Sequence, residues 1–368
     1  MGCRALSTVC VLATAACGGG SDPHPAELDA PGAADGMQPG GDAPAVMLED
    51  LHFIGRFDAD RRFAWPGSQI AATFDGTAIG IDLEDTGGDW FDVTIDGATQ
   101  VLRPSAGRGT YEVGTALAAG EHTIALVKRT ESFVGTSRFH GFTGATLVPS
   151  PRPTRTLELI GDSITCGYGV LGAGPACSFS ADTEAETHAW GMFAATELGA
   201  VHHAIAYSGI GMVRNNDGST DATMPRRYER IVADDPGSVW TPGDPPAVFV
   251  IDLGTNDFAA GDPGQPYRDA YVAFVRDQLR SRAPQAEILL ATSPMLSDSY
   301  PQGAQNRTKA RAHLDAIAAT LADARVHVVD IPEQLGSDGL GCDYHPNEVT
   351  QHKMAAALVA AIRPLTGW

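Results

Sequence analysis

Thr156 to Gly169 reads Thr-Leu-Glu-Leu-Ile-Gly-Asp-Ser-Ile-Thr-Cys-Gly-Tyr-Gly, and this stretch decides how the second half of the chain folds. The apolar residues at its start have the pattern of a short buried strand, and they lead directly into Gly161-Asp162-Ser163. A serine on a tight turn at the end of a strand stands where nucleophiles lie in open α/β sheets. The stretch therefore predicts a strand, a turn and a nucleophile at Ser163.

Strand and helix patterns alternate around and beyond this turn. The predicted strands cover residues 157–160, 201–206, 248–253, 288–292 and 326–330, and the predicted helices cover 189–198, 267–283, 306–324 and 349–363. This alternation predicts a doubly wound, three-layer α/β/α domain over residues 155–368, with a mostly parallel sheet. Ligands bind such sheets at the carboxyl ends of the strands, which is where Ser163 is expected.

A serine hydroxyl is a weak nucleophile at neutral pH, so a base and a group that orients the base are needed nearby. The segment Asp343-Tyr344-His345-Pro346 offers His345 as that base. In an extended loop residues i and i+2 project to the same side, so Asp343 is predicted to hold one ring nitrogen while the other faces Ser163.

The developing oxyanion needs hydrogen-bond donors as well. The backbone N–H of Ser163 is one predicted donor. Ser208-Gly209 follows a second strand pattern and offers the backbone N–H of Gly209, and Gly254-Thr255-Asn256-Asp257 follows a third and offers the side-chain amide of Asn256. These three groups are the predicted oxyanion hole.

In this order, the motifs Gly-Asp-Ser, Ser-Gly, Gly-x-Asn-Asp and Asp-x-His-Pro resemble those of the SGNH (GDSL-type) hydrolase superfamily over roughly residues 155–368. Within that superfamily, the segments 160–168, 208–215 and 342–347 are similar to carbohydrate esterase family 2. The resemblance implies an N-terminal β-sandwich, a flavodoxin-like SGNH hydrolase domain, and removal of acetyl groups from polysaccharides through an acetyl-enzyme.

One residue separates Asp343 from His345, where the wider superfamily has two, and the single-residue spacing is similar to that of family 2. A backbone carbonyl can also orient a histidine, so two orienting groups remain open: Asp343 and a carbonyl of the same loop. The chemistry implied by the resemblance needs no metal or organic cofactor. His202-His203 is interpreted as a core or surface pair, because no zinc-binding spacing such as His-Glu-x-x-His surrounds it.

The first half of the chain divides into three parts. Residues 1–17 read as a signal peptide, with Thr14-Ala15-Ala16-Cys17-Gly18 resembling a bacterial lipobox, so lipidation at Cys17 is expected and ordinary signal cleavage is the alternative. Residues 18–47 are rich in Gly, Pro, Ala and Asp and read as a disordered linker. Residues 48–148 carry short alternating segments separated by turns, which predicts a β-sandwich of jelly-roll type.

The chain carries 45 acidic against 25 basic residues, a formal net charge of −20. Such a field repels phosphate backbones and anionic membranes, so nucleic acid is not an expected partner and the membrane is reached only through the lipid anchor. The expected partner is a neutral acetylated polysaccharide or oligosaccharide of the xylan or glucomannan type. The protein is expected to be exported and monomeric.

Three of the six cysteines, Cys166, Cys177 and Cys342, fall in the predicted hydrolase domain. In an oxidising compartment one disulfide among them is expected, and the sequence leaves the pair open and one thiol over. A cysteine nucleophile is the rival interpretation, but no cysteine stands at a comparable turn after a strand.

Aromatic side chains suit the C–H faces of sugar rings. The substrate-binding candidates are Tyr207, Tyr344, Trp190 and Trp90, each of which is equally suited to a core position. Two other functions remain open on the sequence alone: an esterase acting on envelope glycan or lipid, and a non-catalytic carbohydrate-binding lipoprotein.

Overall fold

The computed structural model describes residues 48–368. The predicted signal peptide, the lipidation site at Cys17 and the linker lie outside the described residues. Within 48–368, no helix combines the length and the apolar character that crossing a membrane requires.

The amino-terminal part consists of short strands whose side chains alternate between the core and the surface. The strands are β1 (Leu48–Glu49), β2 (His52–Ile54), β3 (Arg62–Phe63), β4 (Gln69–Asp75), β5 (Ile79–Asp85), β6 (Phe91–Ile95), β7 (Ala98–Leu102), β8 (Gly107–Gly114), β9 (Glu121–Lys128), β10 (Ser137–Thr143), β11 (Thr146–Val148) and β12 (Ser150–Pro151). In β4, for example, Ile70, Ala72 and Phe74 are buried. This period of two gives each strand one apolar face.

Two antiparallel sheets share a core between them. One has the strand order β3-β10-β5-β8, and the other has the order β11-β4-β9-β6-β7 with β2 paired to β4. The core between them includes Phe63, Ile81, Phe91 and Leu126, all almost fully buried. The predicted β-sandwich is thus present. Strands β7 and β8 are mostly exposed, and β8 contains three glycines, so neither shows an apolar alternation in the sequence.

The second part of the described chain alternates strands and helices. Its elements are β13 (Thr156–Gly161), α1 (Ser163–Cys166), α2 (Trp190–Leu198), β14 (Val201–Ala206), α3 (Met224–Arg227), β15 (Val248–Asp252), α4 (Gly264–Ala273, continued by a π-helical segment Phe274–Arg280), β16 (Glu287–Ala291), α5 (Asn306–Leu321), β17 (Val326–Val329) and α6 (Glu348–Thr366). All five strands pair in parallel in the order β14-β13-β15-β16-β17. This order is flavodoxin-like, and it confirms the predicted fold class.

The sheet has apolar cores on both faces, as a parallel sheet requires. One core packs α4 and α5 against it, and the other packs α2 and α6. The first strand of this domain, β13, lies second in the sheet, between β14 and β15. Its carboxyl end, together with those of β14 and β15, forms the edge that we call the carboxyl edge; the strand starts form the amino edge.

A group of buried charges joins the sandwich to the sheet towards the amino edge. Arg282 donates two hydrogen bonds to Glu158 of β13, at 3.0 and 2.8 Å, and Arg56 of the sandwich places its Nη2 3.5 Å from the same carboxylate. The Arg56 guanidinium is fully buried between the rings of Tyr228 and Trp240, 4.4 and 4.3 Å from their centroids. We call Arg56, Glu158 and Arg282 the amino-edge cluster.

Candidate active site

Ser163 is the first residue of α1, directly after the turn that ends β13. Asp162 caps this helix, and its side chain accepts a hydrogen bond from the N–H of Ile164 at 3.0 Å. The cap fixes the turn. It leaves the Ser163 hydroxyl at the carboxyl edge, 2.8 Å from Nε2 of His345.

His345 is held with one nitrogen on Ser163 and the other on the backbone. Its Nδ1 lies 3.2 Å from the carbonyl oxygen of Cys342, so the ring carries its proton on Nδ1 and presents Nε2 as an acceptor. Tyr168 covers the imidazole, with the ring centroids 4.2 Å apart. Burial lowers the pKa of His345, and the carbonyls of its loop raise it back in part. The ring is therefore neutral, as a general base must be.

The structure corrects the expected role of Asp343. Its carboxylate accepts a hydrogen bond from the Tyr168 hydroxyl at 2.6 Å, whereas the group on His345 Nδ1 is the carbonyl of Cys342. The prediction assumed an extended loop, but Asp343 has a φ of 49° within a short 3₁₀ turn, Cys342–Tyr344. That left-handed residue turns its side chain away from the imidazole, so of the two orienting groups the structure selects the carbonyl.

The disulfide joins Cys177 to Cys342, while Cys166 is a buried free thiol. The bridge therefore fixes the residue whose carbonyl orients His345. The backbone adds two hydrogen bonds: the N–H of Cys342 donates to Gly169 at 3.0 Å, and the N–H of Asp343 donates to Cys177 at 2.9 Å. Together these contacts secure the histidine loop against the segment that follows the nucleophile.

Gly209 occupies a tight turn beside Ser163. The N–H of Ile210 donates to the carbonyl of Tyr207 at 3.2 Å, and Gly209 has a φ of 77°. These are the features of a type II turn, in which the third residue needs a positive φ. A Cβ at Gly209 would also approach Asn216 to 2.9 Å. No acceptor binds the N–H of Gly209 among residues 48–368, so this donor is free.

Asn256 is nearly buried at the end of β15, and both of its amide hydrogens have protein acceptors. Nδ2 donates to the carbonyl of Ile210 at 2.7 Å and to Asp162 at 3.1 Å. Burial raises the pKa of Asp162 to about 7, although the Ile164 N–H on the carboxylate lowers it in part. Asn256 therefore links the nucleophile turn to the Gly209 turn.

These groups converge on one cavity of about 360 Å³. Its lining residues are Ser163, Tyr168, Ser208, Gly209, Asn216, Thr255, Asn256, Met295, Asp343 and His345. A neighbouring cavity of about 300 Å³ shares Ser208, Gly209 and Asn216 with it and is also lined by Tyr207. The predicted nucleophile, the predicted base and the three predicted oxyanion donors thus lie together.

The structure brings Tyr207 close to this cavity but not the other three aromatic candidates. Trp190 is fully buried in the core and donates to Thr165 at 3.3 Å, so it cannot stack on a sugar. The face of Trp90 is covered by the guanidinium of Arg103, 3.5 Å from the ring centroid. Tyr344 is 65% exposed but does not line the cavity. Trp190 and Trp90 are therefore wrong as predicted stacking surfaces, because sequence proximity to a motif does not fix the direction of a side chain, whereas substrate binding by Tyr344 stays a prediction.

Other aromatic residues, which the sequence analysis missed, run along the site. Phe133 of the sandwich contacts Phe179 and Tyr207, with ring centroids 5.1 and 5.9 Å apart, and Phe179 contacts Tyr168 at 5.1 Å. Phe133 is 44% exposed. The sequence could have indicated Tyr168, because it lies five residues after Ser163. Phe133 comes from the other domain, so nothing in the sequence indicates that it lies beside the site.

The arrangement is suited to acyl transfer. A serine hydroxyl bonded to a neutral imidazole is an activated nucleophile, and a free backbone N–H beside it can stabilise an oxyanion. The histidine has a backbone carbonyl in place of the usual carboxylate. The site is a Ser163–His345 pair with a preformed donor turn.

Family comparisons agree with this geometry. Residues 53–151 match the family described as carbohydrate esterase 2 N-terminal, and residues 159–352 match the GDSL-like lipase/acylhydrolase family. The two matches fall on the sandwich and on the α/β domain.

Among curated proteins, the chain is 32% identical to the cellulase/esterase CelE of Acetivibrio thermocellus over 91% of its own length, but it spans only 41% of that longer relative. It is 27% identical to an acetylxylan esterase / glucomannan deacetylase of Cellvibrio japonicus, with 84% of this chain and 86% of the relative covered.

Among solved structures, a family two carbohydrate esterase from Clostridium thermocellum in complex with cellohexaose superposes with a TM-score of 0.80 at 32% identity. The superposition covers 86% of this chain and 99% of that one.

Proposed function

The chain belongs to carbohydrate esterase family 2, and from this premise we propose that it removes O-acetyl groups from polysaccharides of the xylan or glucomannan type. The observation that carries the proposal is the 2.8 Å contact between Ser163 and His345 in a cavity that also contains the free N–H of Gly209. An acetylxylan esterase / glucomannan deacetylase among the relatives supports this substrate class.

In the proposed reaction, His345 Nε2 takes the proton of Ser163 as the hydroxyl oxygen attacks the acetyl carbonyl carbon. The carbonyl of Cys342 stabilises the imidazolium through its hydrogen bond to Nδ1. The imidazolium then donates its proton to the departing sugar oxygen, which leaves an acetyl group on Ser163. Water attacks this ester with His345 again as the base, and acetate is released.

The oxyanion is stabilised by the backbone N–H groups of Ser163 and Gly209 and by Asn256. Both hydrogens of Asn256 have acceptors in the substrate-free site, and the contact to Asp162, at 3.1 Å, is the longer of the two. We propose that this hydrogen turns to the oxyanion when the tetrahedral intermediate forms. A developing negative charge is the stronger acceptor for a group in a water-excluded site.

The aromatic series supports a sugar as the leaving group. Phe133 is exposed, and it contacts Phe179 and Tyr207, which are half-buried beside the cavity. Aromatic faces of this kind stack on sugar rings. Phe133 belongs to the sandwich, so both domains contribute to the proposed substrate cleft. The structural relative in complex with cellohexaose is consistent with an oligosaccharide as the ligand.

The test is acetate release from acetylated xylan and acetylated glucomannan by the purified protein and its Ser163→Ala variant. We expect release by the wild type and a fall of about 10⁴-fold or more in the variant, because the nucleophile and base act as a unit. Hydrolysis of a small aryl acetate without release from either glycan would reject the polysaccharide and keep the esterase. Binding of both glycans by folded protein without any hydrolysis would favour a carbohydrate-binding protein instead.

We also propose that the protein is exported, lipidated at Cys17 and monomeric. The support is the sequence alone: the lipobox-like Thr14-Ala15-Ala16-Cys17 follows a short apolar segment. A Cys17→Ser variant should move from the membrane fraction to the soluble fraction and lose the mass of the lipid. Equal membrane association of both forms would reject the anchor, and light scattering would give the oligomeric state.

A further inference from the structure

A loop of the sandwich reaches under the donor turn of the active site. It follows β9 and contains Glu131, which is fully buried. One carboxylate oxygen accepts a hydrogen bond from the backbone N–H of Ser208 at 2.6 Å, and the other accepts one from the Ser208 hydroxyl. Ser208 directly precedes Gly209, so a residue of one domain binds the oxyanion turn of the other.

The loop itself is firmly anchored within the described part of the chain. Lys128 donates to Asp89 at 2.7 Å, and both side chains are fully buried. The same ammonium group donates to the carbonyl of Thr130 at 2.7 Å. On the far side, the N–H of Glu131 donates to the carboxyl of Glu184 at 3.0 Å. These contacts hold the loop, and with it Glu131, in one position.

Two buried carboxyl groups stand side by side here. Burial and the charge of Glu131 together raise the pKa of Glu184 well above its usual value. Burial also raises the pKa of Glu131, but the hydrogen bonds from Glu184 and Ser208 counteract part of this. Of the two carboxyl groups, that of Glu131 is the one that binds the donor turn.

The position of this contact in the turn matters. Ser208 is the second residue and Gly209 the third of the type II turn, and the peptide between them carries the Gly209 N–H. This middle peptide is the one whose orientation distinguishes a type II turn from a type I turn. Reversing this peptide would point the C=O of Ser208 to where the N–H of Gly209 now lies. A group that holds Ser208 at both its N–H and its hydroxyl therefore fixes the direction of the oxyanion donor.

We propose that Glu131 of the sandwich is a positioning residue, whose carboxylate holds Ser208 so that the N–H of Gly209 faces the cavity during acyl transfer. The inference rests on the proposed function, because the donor matters only if an oxyanion forms at Ser163. It assigns the sandwich a role in the chemistry itself, in addition to its aromatic contribution to the cleft.

The experiment measures kcat and KM for an aryl acetate in the full chain and three variants. In Glu131→Ala both contacts to Ser208 are lost. We expect kcat to fall about 10- to 100-fold, because an oxyanion donor contributes about 10²- to 10³-fold to kcat and the variant loses part of that contribution. We expect KM to change less than about threefold. Glu131→Gln can accept from the N–H and donate to the hydroxyl of Ser208, so it should restore kcat to within about fivefold of the wild type.

The matched control is Ser132→Ala. Ser132 lies in the same loop and accepts a hydrogen bond across the same interface, from the N–H of Ala233 at 3.2 Å, but has no hydrogen bond to Ser208. It should lower the melting temperature without changing kcat by more than about twofold, the behaviour of a residue that acts only on stability.

A double variant separates positioning from stability. Proline is favoured at the second position of a type II turn, so Ser208→Pro presets the turn and also removes the N–H that Glu131 accepts. In Glu131→Ala combined with Ser208→Pro, neither a carboxylate nor this N–H is left unpaired. We expect kcat of the double variant to return to within about fivefold of the wild type, since the turn no longer needs Glu131.

Each outcome decides the inference. A folded Glu131→Ala variant with kcat within about twofold of the wild type overturns it. If that variant does not fold, the double variant decides, and a folded double variant more than about tenfold below the wild type overturns it. Either of these results overturns the role of Glu131 but not the proposed esterase function, as long as hydrolysis by the wild type depends on Ser163. A wild type that is inert towards the aryl acetate overturns the proposed function and this inference together.

Discussion

Two buried charge clusters join the same two domains, and they differ in what their charges meet. In the amino-edge cluster, Glu158 lies between two guanidinium groups, those of Arg56 and Arg282. At the carboxyl edge, Glu131 and Glu184 place two carboxyl groups together, with backbone and hydroxyl donors of Ser208 as partners. We call these three residues the carboxyl-edge cluster.

The difference lies in how each cluster balances its charge. Burial alone would raise the pKa of Glu158, but Arg282, His203 and Arg56 hold it well below its usual value, so its charge is held by opposite charges. Glu131 instead directs its carboxyl group to a peptide turn beside Ser163, where it accepts hydrogen bonds from Ser208. The comparison indicates that the amino-edge cluster secures the domain contact, whereas the carboxyl-edge cluster orients a catalytic group. Variants in the first should therefore change stability, and variants in the second should change kcat.

The largest expected effect is on the amino-edge cluster. Glu158→Gln keeps the shape of the side chain but leaves two buried guanidinium groups without a counter-charge, which typically costs about 3–5 kcal/mol. We expect this loss in the unfolding free energy by denaturant titration, with kcat of the folded protein unchanged.

The control for this variant is Asp82→Asn, which breaks the exposed sandwich pair between Asp82 and Arg108. Exposed pairs contribute about 0–1 kcal/mol, so the control should be nearly neutral. Equal losses of unfolding free energy in the two variants would show that the amino-edge cluster stabilises the protein no more than an exposed pair does. A fall in kcat with Glu158→Gln would show that this cluster also acts on catalysis.

The next effect belongs to the carboxyl edge. Asn256→Ala removes an oxyanion donor and the link between Asp162 and Ile210, and we expect kcat to fall about 10²- to 10³-fold. Steady-state kinetics on an aryl acetate would show this with KM almost unchanged. A fall of less than about tenfold would mean that Asn256 keeps both of its present acceptors throughout the reaction.

A smaller effect is expected from Asp343→Asn. The asparagine oxygen can still accept the Tyr168 hydroxyl, and His345 keeps its bond to Cys342, so kcat should change by less than about threefold. The corresponding change in a Ser-His-Asp triad lowers kcat about 10⁴-fold. A loss on that scale would show that Asp343 orients the imidazole during catalysis after all.

The smallest expected effect is a shift in the pH dependence of kcat/KM. The base must be neutral, so activity is lost as the pH falls through the pKa of His345. Because burial lowers this pKa, the midpoint of kcat/KM should lie below the value of about 6.5 of an exposed imidazole. The profile of kcat/KM against pH measures it. A midpoint above that value would contradict the buried, carbonyl-bound imidazole.

The same contrast shows what the sequence was able to predict. Strand periodicity and the turn after it located Ser163 at the carboxyl edge, because parallel strands place their ends together. The order of the motifs anticipated that Gly209, Asn256 and His345 would meet there. These predictions depend on local patterns and on a general rule of sheet topology.

The rest depends on backbone conformation and on contacts between the domains. The direction of Asp343 follows from a φ of 49° at a non-glycine residue, for which the sequence carries no signal. Trp190 was predicted to bind substrate but lies in the core, and the exposed Phe133 was not predicted at all, since burial is decided by packing. Glu131 lies 77 positions before Ser208 and in another domain, so no motif could connect them.

The central claim is that Ser163 forms an acetyl-enzyme, and peptide mass spectrometry tests it most directly. The protein is mixed with an aryl acetate, quenched in acid during turnover, and digested. We expect one acetyl group on the peptide that contains Ser163 in the wild type, and neither that group nor turnover in Ser163→Ala. Turnover with the acetyl group on another residue, or turnover that persists in Ser163→Ala, would contradict it.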